Sequence, residues 1–195
     1  MRSDTRTRDQ LVNVCGFPPL HIDRIADGKG KIMDVQLEPF TELRDRILGG
    51  KTSILQGVRG TGKTHLACGI AWSWTRWGKP TSVKGKALYW TMPAFLSEQA
   101  SWYTSRDGDS PMTRATGCGL LVIDEAAVTS TNHSQDTVRE LVDARYRNKR
   151  ATVLITNLTQ EGLLEALDDP TLDRCLEGGS GIVEIDGGSL RGVAV

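Results

Sequence analysis

Net charge is the first thing this sequence lacks: 24 lysines and arginines meet 24 aspartates and glutamates over 195 residues. That balance excludes a histone-like coat, which grips nucleic acid through a bulk positive excess. Long apolar runs are missing too. No stretch approaches the roughly 18 apolar residues that cross a bilayer. Residues 1–9 alternate Arg with Asp and Thr where a secretory signal carries an apolar core. The expectation is a cytoplasmic protein with no membrane partner. Cysteine and histidine are sparse and scattered. Cys15, Cys68, Cys118 and Cys175 make no CxxC pair, and His21, His65 and His133 stand alone. This spacing argues against a zinc framework or a disulfide scaffold and leaves reduced thiols that fill core space.

What is present is an ordinary globular composition, 38% hydrophobic and 25% charged, long enough for one complete core. The zero is a sum over unlike parts. Residues 51–117 carry 9 basic and 3 acidic side chains, whereas residues 158–195 carry 2 basic and 8 acidic ones. The chain is polarised along its length, +6 against −6 by these counts.

Apolar runs punctuated by glycine and proline set the organisation. Residues 1–50 read as an N-terminal segment packed on the core, with a short helix from Pro39 to Leu48. Residues 51–195 read as the core itself, one domain overall. Thr52–Gln56, Ala87–Thr91, Gly119–Ile123, Thr152–Thr156 and Ile182–Ile185 predict strands. Helical spacing predicts helices over 63–77, 93–103, 135–148 and 160–167 and a short one near Leu172, while the polar residues 104–117 predict a mobile loop. Trp74 and Trp77 fall on the apolar face of the first of these helices, and Trp72 faces away from it. Strands alternating with helices imply a mainly parallel sheet in a three-layer α/β/α fold.

Residues 57–64, Gly-Val-Arg-Gly-Thr-Gly-Lys-Thr, match GxxxxGK[ST] in full and lie between a strand and a helix. Gly57, Gly60 and Gly62 let successive backbone N–H groups converge on a phosphate. Lys63 brings a point charge to the β- and γ-phosphates, and the Thr64 hydroxyl can ligate Mg²⁺. Arg59, Thr61 and His65 complete the nucleotide-binding candidates. Asp124 and Glu125 end an apolar strand about 60 residues downstream, on the side where a parallel sheet opens its phosphate loop. Asp124 is the second candidate metal ligand, and Glu125 can polarise a water for in-line attack. Asn157, after the strand ending at Thr156, is placed to sit between Glu125 and a γ-phosphate. Arg174 and Arg191 are the only basic residues after position 150. Either they neutralise the surrounding acids or one of them reaches a γ-phosphate as an arginine finger.

Together these segments resemble the AAA+ ATPases of the DnaC-type helicase-loader and IstB-type transposition-helper group, from about Val14 to Gly192. Residues 60–67 are similar to the group's extended phosphate loop, and Leu121–Glu125 to its acidic strand. Residues 144–150 with 153–158 resemble its RY…R…IITSNL run, one residue shorter in the serine-asparagine part. Leu172-Asp-Arg174 resembles its DRL box, which implies an Arg174 that reaches a neighbouring subunit's ATP. Gly188-Ser-Leu-Arg191 resembles its terminal SYR, with Leu190 in place of Tyr, which implies Arg191 as a second sensor of the nucleotide. The resemblance departs at the N-terminus, where the loaders carry a helicase-gripping module and Cys15-Gly-Phe-Pro18 already looks like the start of the core. Such a compact form suits a bacterial, phage or mobile-element protein.

The resemblance implies ATP/ADP and Mg²⁺ as cofactors, ATP hydrolysis, and head-to-tail assembly into a homo-oligomer that holds DNA, with single-stranded DNA as the expectation. Lys84, Lys86, Arg145 and Arg147 are the DNA-binding candidates, with Lys79, Lys149 and Arg150 nearby and Trp102 or Tyr103 available for stacking. A solvated helix face with loop lysines accounts equally for those charges. The leading expectation is a helicase-loader-like ATPase of DNA replication with a replicative helicase as partner. The alternatives are a transposition helper that meets a transposase, a nucleotide-gated decoy of a helicase, and a small-molecule kinase sharing the loop.

Overall fold

In the computed structural model residues 2–28, 37–76, 86–126, 132–177 and 181–185 are described. The fold is built on three strands with apolar middles, Ile54-Leu55, Leu120–Ile123 and Val153–Ile155. β1 (Thr52–Gln56) and β4 (Ala151–Thr156) are buried at every position, and β3 (Leu120–Asp124) at all but Asp124. Such runs suit strands covered on both faces. β2 (Ala87–Thr91) and β5 (Ile182–Glu184) flank them, giving the order β2-β3-β4-β1-β5 with every pairing parallel.

The two-residue period of the strands sorts their side chains into two cores. Leu55, Leu120, Val122, Val153 and Ile155 face one layer, and Ile54, Leu121, Ile123 and Leu154 face the other. On the first side lie α1 (Arg2–Asp9), a π-helical turn (Gln10–Val14), α2 (Pro19–Ala26), α3 (Leu37–Leu48) and α4 (Lys63–Arg76). On the second lie α5 (Met92–Ser105), α6 (Pro111–Gly117), α7 (Asn132–Arg147), α8 (Gln160–Ala166) and α9 (Asp169–Leu176). The result is a mainly parallel α/β/α sandwich. Side chains such as Leu66, Ile70 and Phe95 are fully buried, each contributing about 1.5–3 kcal/mol.

Three sequence expectations are corrected. Residues 111–117 form α6 rather than loop: Ser110 accepts the Thr113 N–H at 3.0 Å and Pro111 opens the helix, a capping pattern hidden among turn-forming residues. Trp72 is buried rather than outward-facing, at 7% exposure, because α1 and α2 cover that flank of α4. Residues 1–50 hold more than the one helix anticipated, since Leu11, Phe17 and Ile22 enter the first core. Trp77 and Lys79 lie outside the described residues. All four cysteines are free and buried, as composition suggested.

Candidate nucleotide site

The topology places the site before any side chain is considered. The strand order puts β4 between β1 and β3, so their C-terminal ends stand side by side. Gln56 pairs with Thr156, and Ile123 pairs with Leu154. The loop after β1, the turn holding Asn157 and the acids ending β3 therefore share one edge of the sheet.

The loop 57–62 is shaped by its glycines. Gly57, Gly60 and Gly62 have φ of 151°, 89° and 91°, values closed to most L-residues. At Gly57 a Cβ would lie 2.6 Å from the Ile185 carbonyl oxygen, so the loop can approach β5 only without a side chain there. Thr61 Oγ1 donates to the Val58 carbonyl at 3.0 Å. Lys63, 6% exposed, donates from Nζ to the carbonyls of Gly57 and Val58, both at 2.6 Å. The loop thus curls around the ammonium at the N-terminus of α4, where helix dipole and lysine charge both favour an anion.

Thr64, one residue into α4, donates its hydroxyl to Asp124 Oδ2 at 2.7 Å. Tyr89 of β2 donates its hydroxyl to the same oxygen at 2.9 Å, and the Glu125 N–H donates to Oδ1 at 2.8 Å. Burial, followed by the charge of Asp124, pushes the Tyr89 phenol well above its ordinary value, so it remains a donor. Glu125 is exposed and sits at φ 56°, a left-handed conformation uncommon outside glycine and often retained at functional sites. Hydroxyl and carboxylate oxygens are the hard donors that magnesium prefers, so Thr64 and Asp124 fit that ion.

The turn after β4 is pinned from both sides. Gln56 Nε2 donates to the Leu158 carbonyl at 2.9 Å, and the Leu158 N–H donates to Thr156 Oγ1 at 3.1 Å. Half-buried Asn157 rides on this turn. Half-buried His65 lies against His21 of α2, the rings tilted at 58° with centroids 5.5 Å apart. Burial, with His65 adding to it, holds the His21 pKa below its ordinary value.

Of the arginine candidates, Arg174 lies on α9 with Nη2 2.8 Å from Asp143 of α7 and Nη1 on the Pro170 carbonyl at 3.1 Å. Arg191 and Lys84 lie outside the described residues. Lys86 is exposed just before β2, and Arg147 is exposed beside Asp143. Arg145 is a correction. It is 0% exposed and donates to the Thr152 hydroxyl and to the carbonyls of Ala115, Cys118, Gly119 and Ala151. Its guanidinium ties α7 to the start of β3 and β4 and cannot reach DNA. The basic run 144–150 conceals this because it mixes one inward position with outward ones.

Sequence reasoning missed Gln56 and Tyr89. Both were visible as strand residues, but their place at the site depends on the strand order, which spacing alone does not supply. It also passed over Arg106, which closes α5 at φ 54° and lies over the rings of Trp102 and Tyr103, at 4.5 and 5.2 Å.

Similarity to known proteins follows the same residues. The replicative helicase loader DnaC of Buchnera aphidicola (subsp. Acyrthosiphon pisum) is 26% identical over 176 residues, covering 88% of this chain and 67% of the relative. A crystal structure of the DnaC helicase loader superposes with a TM-score of 0.62 at 15% identity, covering 78% of this chain and 91% of that one. The replication initiator DnaA bound to AMPPCP and single-stranded DNA gives a TM-score of 0.62 at 18% identity, covering 81% of this chain; the chain spans only 47% of that protein's length. These two structures share the fold. The profile of the IstB-like ATP binding proteins matches residues 45–193, a span that begins in α3 and takes in the phosphate loop, both acids and Asn157, and the chain belongs to that family.

Proposed function

We propose that this protein is a Mg²⁺-dependent ATPase that assembles head to tail on ATP, holds single-stranded DNA and serves a replicative helicase in the manner of a helicase loader. The observation that carries the reading is the 2.7 Å hydrogen bond between Thr64 at the start of α4 and Asp124 at the end of β3, beside a lysine enclosed by the phosphate loop. In this reading the loop residues Gly57 to Gly62, with Lys63, Thr64 and His65, receive the phosphates, and Arg59 lies exposed at the loop tip. Thr64 and Asp124 would hold magnesium, which when bound neutralises charge on the β- and γ-phosphate oxygens. Glu125, held outward by its positive φ, orients the attacking water and accepts its proton. Asn157 fixes that water or the γ-phosphate from the next strand. Arg174 acts on a neighbouring subunit's nucleotide, and Arg191 on its own. Lys86 and Arg147 hold the DNA backbone. Half-buried Trp102, with Tyr103 at 58% exposure and the exposed Arg106 beside it, offers aromatic faces to bases.

The similarity to DnaC supports the loader reading, and the IstB-like family match keeps the transposition helper as the second reading. Turnover and nucleotide binding test the enzyme claim together. Lys63→Ala should lose both, whereas Glu125→Gln should retain ATP and lose hydrolysis by at least about 100-fold, the scale of a general base. Normal turnover by Glu125→Gln would sink the mechanism. The ATP-locked Glu125→Gln protein, offered both helicase and transposase, should retain the helicase; retention of the transposase alone selects the second reading.

A further inference from the structure

We infer that Tyr89 is a positioning residue of the nucleotide site: its hydroxyl fixes the Asp124 carboxylate, and the segment 15–17 acts on the site through it. The inference rests on the nucleotide reading above and adds to it a residue and a route.

Three donors hold Asp124: the hydroxyls of Thr64 and Tyr89 on Oδ2, and the Glu125 N–H on Oδ1. They are not equivalent. The Glu125 amide is the next residue in the chain and turns with the aspartate. Thr64 is itself a metal-ligand candidate, so its oxygen has a second task once nucleotide arrives. Tyr89 alone of the three comes from a separate strand and has no other task at the site. It therefore sets the direction in which Oδ2 faces, as outer partners of metal ligands do.

The phenol is in turn held by the N-terminal segment. The Tyr89 N–H donates to the Cys15 carbonyl at 2.9 Å, which docks residues 15–17 along β2. The Phe17 ring packs on the Tyr89 ring with centroids 5.4 Å apart. Between them Gly16 has φ 78°, and a Cβ there would meet the Tyr89 carbonyl oxygen at 2.8 Å. Glycine thus permits the close approach that presses Phe17 onto the tyrosine. The segment is anchored at its other end, with Cys15 N–H on the Gln10 carbonyl at 3.1 Å and Phe17 N–H on that of Leu11 at 3.0 Å. A displacement of the π-helical turn therefore bears on the tyrosine, and the tyrosine on Asp124. What binds the N-terminal helices can in this way alter how readily the site takes magnesium.

The test measures binding rather than turnover. A fluorescent, non-hydrolysable ATP analogue is titrated into wild type, Tyr89→Phe, Phe17→Leu and the double variant, in EDTA and across a Mg²⁺ series. Tyr89→Phe removes one oxygen and keeps the ring. It should keep its affinity in EDTA, while the Mg²⁺ needed to tighten binding rises about tenfold. Phe17→Leu should give a smaller shift in the same direction, and none on top of Tyr89→Phe, because both act through one hydroxyl. An unchanged Mg²⁺ requirement in Tyr89→Phe overturns the inference alone, and so does an equal loss of affinity with and without Mg²⁺, which marks a general structural role. A Phe17→Leu shift that persists in full without the hydroxyl overturns the route through segment 15–17. Wild-type protein that binds no analogue overturns the nucleotide reading and this inference with it.

Discussion

Replacing Arg145 by methionine keeps an unbranched apolar stem and removes five hydrogen-bond donors at once. The side chain is wholly buried, and its partners are the Thr152 hydroxyl at 2.8 Å, the Cys118 carbonyl at 3.0 Å, the Gly119 carbonyl at 3.3 Å, and those of Ala115 and Ala151. Burial opposes the charge and lowers the Arg145 pKa, so the cation persists there because neutral acceptors surround it. Each carbonyl left without a donor costs about 1–3 kcal/mol. The costs do not simply add: the Cys118 carbonyl keeps a 3.3 Å contact from Arg150, and methionine recovers some apolar contact. A net loss of roughly 3–5 kcal/mol follows from two or three carbonyls left unpaired. For a domain of ordinary stability, about 5–15 kcal/mol, that lowers Tm by on the order of 10 °C. Urea unfolding followed by circular dichroism should show the midpoint falling with the slope unchanged. Arg147→Met is the control: its pair with Asp143 is exposed, so stability should change by no more than about 0.5 kcal/mol. If Arg145→Met lost less than about 1 kcal/mol yet lost DNA binding, the structural role would be wrong and the DNA role restored.

The remaining predictions concern assembly, DNA and thiols. Mixing Arg174→Ala with Lys63→Ala subunits should restore part of the ATPase activity that each lacks alone, because a mixed interface pairs an intact loop with an intact arginine. An Arg174→Ala protein that is fully active by itself removes the claim of action across subunits. Trp102→Ala with Tyr103→Ala should weaken binding to labelled oligo-dT by ~1–3 kcal/mol per stacked base and leave ATP affinity intact; fluorescence anisotropy reads both. The buried thiols should resist aromatic disulfide reagents at pH 8 in the native protein and react once it unfolds. Burial raises Cys15 to about 11 and Cys175 to about 12. Since these folded values exceed the unfolded one, the thiols' contribution to stability should be level below pH of about 8.5 and fall as pH rises from there toward the folded values.

Most of the sheet could be read from the sequence because its central strands are buried on both faces and carry uninterrupted apolar stretches, Ile54-Leu55, Leu120–Ile123 and Val153–Ile155. The phosphate loop was legible for a different reason: a backbone that must bend at three positions around a phosphate leaves three glycines, and the chemistry adds Lys63 and Thr64. The rest depended on information that is not local. Tyr89 and Gln56 look like ordinary strand residues until the strand order places them beside Asp124 and the Asn157 turn. Arg145 looks like its neighbours Arg147 and Lys149, because one inward position per helical turn cannot be picked from a run of like charges. Helix α6 was hidden because Ser110-Pro111 serves as well to start a helix as to make a turn.

The charge pattern changes meaning once pairing is known. Of the nine basic residues in 51–117, Arg76 is matched by Asp4 and Arg114 by Glu98, and Lys63 is enclosed in its loop. Arg59, Lys86 and Arg106 are exposed. The acidic segment is less neutralised. Asp168 meets Arg139 and caps α9, but Glu161, Glu165, Asp169 and Asp173 stand exposed along α8 and α9. Asp143 of α7, outside that segment, holds Arg174 at 2.8 Å in the single chain. An arginine engaged by its own subunit's carboxylate must exchange one anion for another before it serves a neighbour. In the proposed assembly, ATP on that neighbour would supply a phosphate of higher charge, so the exchange would be favoured only when the adjoining site is loaded. In the proposed head-to-tail assembly, an acidic flank and a tethered arginine would thereby make association conditional on nucleotide rather than on bulk charge attraction, which salt would screen.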